Sequence, residues 1–233
     1  MTTLINALFE AVRLVITLDP AVVEIALRSL QVSLGALLIS ALIGVPAGAW
    51  LALIRLPGKR LATALIYTGM GLPPVVVGLI VYLLLSRSGP LGGLGWLFTI
   101  PAMVLAQVII ALPLITGVTM SAVLAVDPAL RPQLRALGAT PAQATRALLV
   151  EARSGVIVGL VAGFGSIISE VGAVMLVGGN IAGRTRVMTT AIVLETRQGR
   201  FELALALGMV LLALAFASNL LVVLLQGRQP NLP

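Results

Sequence analysis

Long apolar runs separated by short charged segments organise the whole chain. A bilayer-spanning helix takes about 20 residues. Four charge-free stretches are long enough: Ser29 to Ile54, Leu61 to Ser86, Trp96 to Val126 and Leu203 to Gln226. A fifth run, Ser154 to Ser169, reaches that length only if Glu170 and part of Val171 to Val177 are drawn in. Upstream, Leu4, Ile5, Leu8, Val12, Val15 and Ile16 recur at helical spacing around Glu10 and Arg13. That spacing predicts an amphipathic helix over residues 3–18, lying in a membrane interface. Asp19-Pro20 ends it and opens the first span. The pattern predicts an all-α integral membrane protein with about five transmembrane helices.

Composition narrows the class without changing that picture. The chain is 59 % hydrophobic and 10 % charged, with a mean hydropathy of +1.13, whereas roughly a quarter of a soluble domain is charged. Its 233 residues leave room for one membrane domain and for no further soluble domain of ordinary size. The net charge of +7 comes from scattered Arg residues with no dense basic block, so nucleic acid is not an expected partner. With neither Cys nor His, the chain has no thiolate or imidazole to hold a metal or act as nucleophile or base. No metal site and no catalytic residues are expected. The N-terminus lacks a basic leader with a cleavage site, so no cleaved signal peptide is expected. The chain stops soon after Gly227-Arg228, and no C-terminal regulatory domain is expected.

Gly and Pro fall inside the spans: Gly44, Pro46 and Gly48 in the first, Pro73-Pro74 and Gly78 in the second, Pro113 in the third. The plainer reading of most of them is close helix packing, for which membrane helices use small residues. Pro73-Pro74 is different. Two successive residues without an N–H would interrupt the helix near mid-membrane, and a broken helix there would line a path.

The loop at residues 127–153 is long for a connection between spans and carries Arg131, Arg135, Arg146, Glu151 and Arg153. Gly138 suits a left-handed helix end, Thr140 an N-cap and Pro141 a first helical turn. A helix–turn–helix outside the bilayer is predicted, as a docking element rather than a solvated linker. Positive residues divide almost evenly between the two faces of a five-span topology, so charge alone does not orient the chain.

Arg135-Ala136-Leu137-Gly138-Ala139-Thr140-Pro141 resembles the cytoplasmic EAA loop of binding-protein-dependent ABC importer permeases. The opening Glu-Ala-Ala of that motif is here Pro132-Gln133-Leu134, and its closing Leu-Pro is Val150-Glu151. Gly71-Leu72-Pro73-Pro74 through Gly78, with Ser86-Arg87-Ser88-Gly89-Pro90, is similar to oxyanion permeases of the molybdate and tungstate type. Glu170-Val171-Gly172-Ala173, Gly178-Gly179-Asn180-Ile181, Thr185 to Ile192 and Leu194-Glu195-Thr196 are similar to tungstate permeases in particular.

The resemblance covers roughly residues 20–225 and implies the small ABC type I importer permease fold. It implies an amphipathic periplasmic segment at 1–20, a transmembrane domain at 21–227 with a cytoplasmic coupling loop at 127–153, and a short cytoplasmic tail at 228–233. The N-terminus would lie outside the plasma (inner) membrane and the C-terminus inside. The chain would act as a homodimer in membrane lipid, with two cytoplasmic ATPase subunits and an extracytoplasmic oxyanion-binding protein as partners. ATP and Mg would bind the ATPase, and no cofactor this chain. Import of tungstate, or of molybdate, is the implied function.

Three groups of residues are candidates for roles in such a machine. Arg135 through Pro141 would couple to the ATPase. Pro73, Pro74, Ser169, Glu170 and Gly172 would line or gate the pathway. A carboxylate at membrane depth is costly and repels an oxyanion, so Glu170 is expected to pair with an Arg or with helix N–H groups. It either shapes a periplasmic gate or simply holds its span through Ser169, Ser166 or backbone. Asn180, Arg184, Thr185 and Arg186 lie in a glycine-punctuated loop that would attract a dianion or meet the binding protein, unless its Arg residues merely snorkel. Among other classes, a membrane-embedded enzyme would need acids beyond Glu170 at membrane depth, and the remaining acids sit in loops or near ends. A channel or secondary transporter would leave the Gly138 loop without a role. An ABC permease for another solute is the stronger rival.

Overall fold

The computed structural model describes residues 2–54 and 57–226. Arg55, Gly227 and the tail expected at 228–233 lie outside the described residues. Helix is the regular structure throughout the described residues. In chain order the helices are α1 (Thr2–Ile16), α2 (Pro20–Leu53), α3 (Lys59–Met70), α4 (Pro74–Leu85), α5 (Ile100–Leu124) and α6 (Leu130–Ala136). They continue as α7 (Pro141–Glu151), α8 (Arg153–Ile168), α9 (Gly172–Gly178), α10 (Met188–Arg197) and α11 (Phe201–Gln226). A single 3-10 turn, Gly92–Leu94, lies between α4 and α5.

The amphipathic spacing before Asp19 becomes α1, with Ala7 and Ala11 buried and Phe9 and Ile16 exposed. Asp19 then caps α2: its Oδ1 accepts the N–H of Ala21 at 2.9 Å and of Val22 at 3.4 Å, with Pro20 in the first turn. α2 begins at Pro20, where Asp19-Pro20 opens the span, rather than at the charge-free stretch from Ser29, because Glu24 and Arg28 are tolerated as an i,i+4 ion pair at 3.0 Å. Its 34 residues extend about 51 Å at 1.5 Å per residue, against roughly 30 Å of hydrocarbon. Charged turns therefore have room outside the apolar layer. The helix stays unbroken through Pro46, as α5 does through Pro113.

The second span is interrupted where Pro73-Pro74 predicts. α3 stops at Met70 and α4 restarts at Pro74, with Pro73 extended at φ −64°, ψ 120°, as a residue preceding proline must be. The N–H groups of Gly71 and Leu72 turn back to Thr68 and Gly69 at 3.1 and 3.3 Å, so the break leaves them satisfied. The fifth span departs from expectation. α8 ends at Ile168 and does not run on through Glu170. Ser169 Oγ donates to the carbonyls of Gly165 and Ser166, and the Glu170 side chain turns forward to the next helix. Extra length comes from the other end, where α7 meets α8 at a 70° bend. Helices α2, α5 and α11 are each long and apolar enough to cross a membrane. Five spans result when the bent pairs α3 with α4 and α7 with α8 count as one each.

Two compact units, each built from three stretches of chain, share out these helices. The first comprises residues 1–36, 73–109 and 165–218. Its core joins Val77, Val81 and Leu85 of α4 to Ala173, Val174 and Val177 of α9, with Met103 of α5 and Met188 and Ala191 of α10 also buried. α4 and α9 cross closely: a Cβ on Gly78 would lie 2.6 Å from Ala173 Cα. In lipid, where apolar attraction between helices is weak, such close backbone approach is a main source of packing energy. The described residues of the second unit are 37–54, 57–72, 110–164 and 219–226. There Ala49, Leu51 and Ala52 of α2 pack with Met120 and Val123 of α5 and with Ala152.

Candidate functional site

The residues expected to couple to an ATPase form a capped elbow in the second unit. α6 ends at Leu137, and Gly138 takes φ +89°. The Gly138 N–H bonds Arg135 O at 3.1 Å and the Ala139 N–H bonds Leu134 O at 3.0 Å, which is the Schellman pattern of a left-handed helix stop. Thr140 starts α7 with a full capping box: its Oγ1 accepts the Gln143 N–H at 3.3 Å, and Gln143 Oε1 accepts the Thr140 N–H at 2.8 Å. Pro141 fills the first helical position. Arg135 Nη1 donates to Ala139 O at 3.0 Å and ties the turn across itself.

The apex formed by Ala136, Leu137 and Gly138 is exposed, with Leu137 85 % accessible and the exposed cation Arg135 two residues before it. An apolar side chain held out on a capped turn next to a cation is suited to a protein partner.

The pathway candidates fall in the first unit. Glu170 Oε1 accepts the Ala173 N–H of α9 at 2.8 Å, and the Glu170 carbonyl accepts Thr189 Oγ1 of α10 at 2.8 Å. Glu170 thus pairs with a helix N–H, and Ser169 bonds backbone rather than Glu170. A Cβ on Gly172 would stand 2.5 Å from Val75 Cγ2, so the start of α9 lies against the Pro74–Val75 turn of α4. Val75, Glu170 and Gly172 are brought together, with Pro74 preceding Val75 in the first turn of α4 and Pro73 at its N-cap.

The loop between α9 and α10 is built from the inside. Asn180, at φ 51°, accepts Thr190 Oγ1 at 2.9 Å and donates to Thr190 O at 3.3 Å. Thr185 is buried, donating to Gly178 O and accepting the Ile181 N–H. Both side chains hold the loop's shape. Arg186 turns toward Glu195, its Nη1 3.9 Å from Oε1. Of the four residues expected to attract anion or partner, Arg184 is the one whose side chain faces out.

Two functional candidates escape a reading of the sequence. Glu195 is 1 % exposed, which corrects the expectation that acids other than Glu170 sit in loops or near ends. Arg200 Nε lies 2.6 Å from its Oε2 without an N–H aligned on it, and Arg186 Nε is buried with no hydrogen-bond partner. Met188, Ala191 and Glu195 share one face at helical spacing, a signal visible once 188–197 is read as a helix. Gln107 of α5 is also buried, its Nε2 donating to Ile167 O at 2.9 Å and satisfying a carbonyl at the end of α8.

Known proteins match this arrangement over most of its length. The chain is 44 % identical over 214 residues to a probable anion ABC transporter permease protein of Haloferax volcanii, covering 90 % of this chain and 92 % of that one. It is 38 % identical over 216 residues to the tungstate uptake system permease protein TupB of Peptoclostridium acidaminophilum, covering 93 % and 95 %. Among solved structures, a chain of a bacterial alginate ABC transporter in complex with alginate pentasaccharide-bound periplasmic protein superposes with a TM-score of 0.70. There the sequence identity is 21 %, over 88 % of this chain and 77 % of that one. The fold is therefore that of an ABC importer's transmembrane chain. Residues 44–229 match a single protein family, and the chain belongs to it: the binding-protein-dependent transport system inner membrane components.

Proposed function

We propose that this chain forms the translocation pathway of an ATP-driven importer of tungstate, with molybdate as the alternative cargo of the same tetrahedral dianionic chemistry. The observation that carries the proposal is 38 % identity to a tungstate uptake permease over 93 % of this chain and 95 % of that one. A relative described only as an anion permease supports the same charge class. Two copies enclose one pathway, while lipid and the second copy cover the exposed apolar side of α11, including Leu212, Phe216 and Val223. An extracytoplasmic binding protein delivers the anion. Two ATPase subunits, which hold ATP and Mg, dock at Arg135 through Pro141, placing this elbow and the C-terminus in the cytoplasm and the N-terminus outside.

Nucleotide shifts such a machine only by favouring one of its states. The elbow is the surface on which that preference acts, and the turn around Pro73, Pro74, Ser169, Glu170 and Gly172 is the gate that it opens or shuts. Arg184 supplies the outward-facing positive charge that draws in the dianion. The test is cellular tungsten and molybdenum by elemental mass spectrometry, in cells with the intact transporter genes and in a deletion of this chain. Tungsten accumulation at low external concentration that vanishes in the deletion supports the proposal; equal metal contents reject it.

The gate role of Glu170 has its own test. Glu170→Gln retains an oxygen acceptor for the Ala173 N–H but removes the charge, so the variant should fold and assemble with its ATPase while tungsten uptake falls. Wild-type uptake would leave Glu170 as a structural cap of α9.

A further inference from the structure

The last carbonyls of a helix have no partner within it, and at the end of α2 two of them are taken by cations from elsewhere in the chain. Lys59 Nζ, at the start of α3, donates to Ala52 O at 2.9 Å. Arg131 Nη1 donates to Leu53 O at 2.9 Å. The two contacts are alike in chemistry, each a charge-assisted bond at the negative end of a helix. They differ in origin. Lys59 belongs to the segment that follows α2, whereas Arg131 is the second residue of α6, the first arm of the elbow.

Where α7 ends, Leu149 and Ala152 pack into the cluster of Ala49, Leu51 and Ala52, but beside the Arg131 contact the second arm stands off α2. An open cleft of about 670 Å³ runs between Pro46, Ala49 and Leu53 of α2 and Pro141, Thr145 and Leu149 of α7, with Arg131 on its lining. Side-chain packing across this gap is thus incomplete, and the guanidinium bridges from elbow to helix end. The chain itself joins the elbow to α5 and to α8, but gives it no direct connection to α2.

We infer that Arg131 is a positioning residue that passes movement of the elbow to α2, so that the first span shifts with α5 and α8 during each transport cycle. The inference rests on the coupling role proposed for the elbow. Arg131 lies outside the Arg135–Pro141 apex, so removing its link to α2 should leave ATPase docking in place. Lys59 would still cap Ala52, so the end of α2 should also persist.

The experiment uses the complete transporter, permease with its ATPase and binding protein, reconstituted in lipid vesicles. ATP hydrolysis and tungstate uptake are measured together for wild type, Arg131→Met, Arg131→Lys, Lys59→Met and Gly138→Val. Arg131→Met should keep assembly and stimulated hydrolysis but raise the ATP consumed per anion at least about fivefold, the lower end of usual coupling effects. Arg131→Lys should recover part of the loss, and Lys59→Met should keep the wild-type ratio. A wild-type ratio in Arg131→Met overturns the inference. So does an equal rise in Lys59→Met, which would mark a general need for a capped α2. Unchanged hydrolysis and uptake in Gly138→Val would instead overturn the coupling role of the elbow itself.

Discussion

Gly138→Val should lose most anion uptake, whereas Gly138→Asn should retain most of it. A Cβ at this position meets nothing within 4 Å, so space does not restrict the residue. The backbone does: φ is +89°, and an L-residue in a left-handed conformation costs about 1–2 kcal/mol. A β-branched side chain costs more, while Asn visits this region readily. Without the left-handed stop, the Gly138 and Ala139 N–H bonds back into α6 are lost, and Thr140 no longer starts α7 in its present direction. The Leu137 apex would then be presented at the wrong angle. A penalty of one to two kcal/mol corresponds to roughly 5–30-fold in population, so uptake by the valine variant should fall by about that factor, in parallel with co-purification of the ATPase. Asn and Val variants that behave alike would show that the turn conformation is irrelevant to coupling.

The same elbow illustrates what could be read from the sequence. Gly138, Thr140 and Pro141 carry local instructions, a left-handed stop, a hydroxyl cap and a fixed φ, that act over a few residues. The structure follows them. Pro73-Pro74 and Asp19-Pro20 are local in the same sense. Hydropathy alone misplaces the limits of α2 and α8, because it marks where charge begins, and a helix does not end at a charge it can pair or project beyond the membrane. Glu24 with Arg28 is the first case. At Glu170 the local signal misled in the other direction: a carboxylate expected within a continuous span instead caps a new helix. The glycine-punctuated loop around Asn180 to Arg186 is flanked by two short helices, α9 and α10, that the apolar runs do not mark as separate elements. Their helicity depends on long-range contacts such as the Met188 N–H donating to Ser29 Oγ at 2.7 Å, 159 residues away. The Arg131 bridge to Leu53 spans 78 residues and leaves no trace in local pattern.

Glu195→Ala should be among the most destabilising single substitutions in this chain. The carboxylate is 1 % exposed and stands between two guanidinium groups, one on the α9–α10 loop and one just beyond α10. Removing one member of a buried pair costs about 3–5 kcal/mol, chiefly because a charge is left without compensation. Here the cost belongs at the low end, about 3 kcal/mol, since the Arg200 side chain is 59 % exposed and can return to water. Arg186 cannot do so as freely: its side chain is 23 % exposed, and its Nε already lacks a partner. The loop that carries Arg184 and Thr185 would loosen first, because Arg186 ties it to α10 alongside the Asn180–Thr190 hydrogen bonds. Thermal unfolding of the purified permease in detergent should show the loss, and Glu195→Ala combined with Arg186→Met should recover part of it, since no half-buried cation then remains. Equal stability of wild type and Glu195→Ala would mean that water already compensates both arginines and that the pair does not hold the loop. A double variant no better than the single one would place the cost in lost packing around α10 rather than in stranded charge.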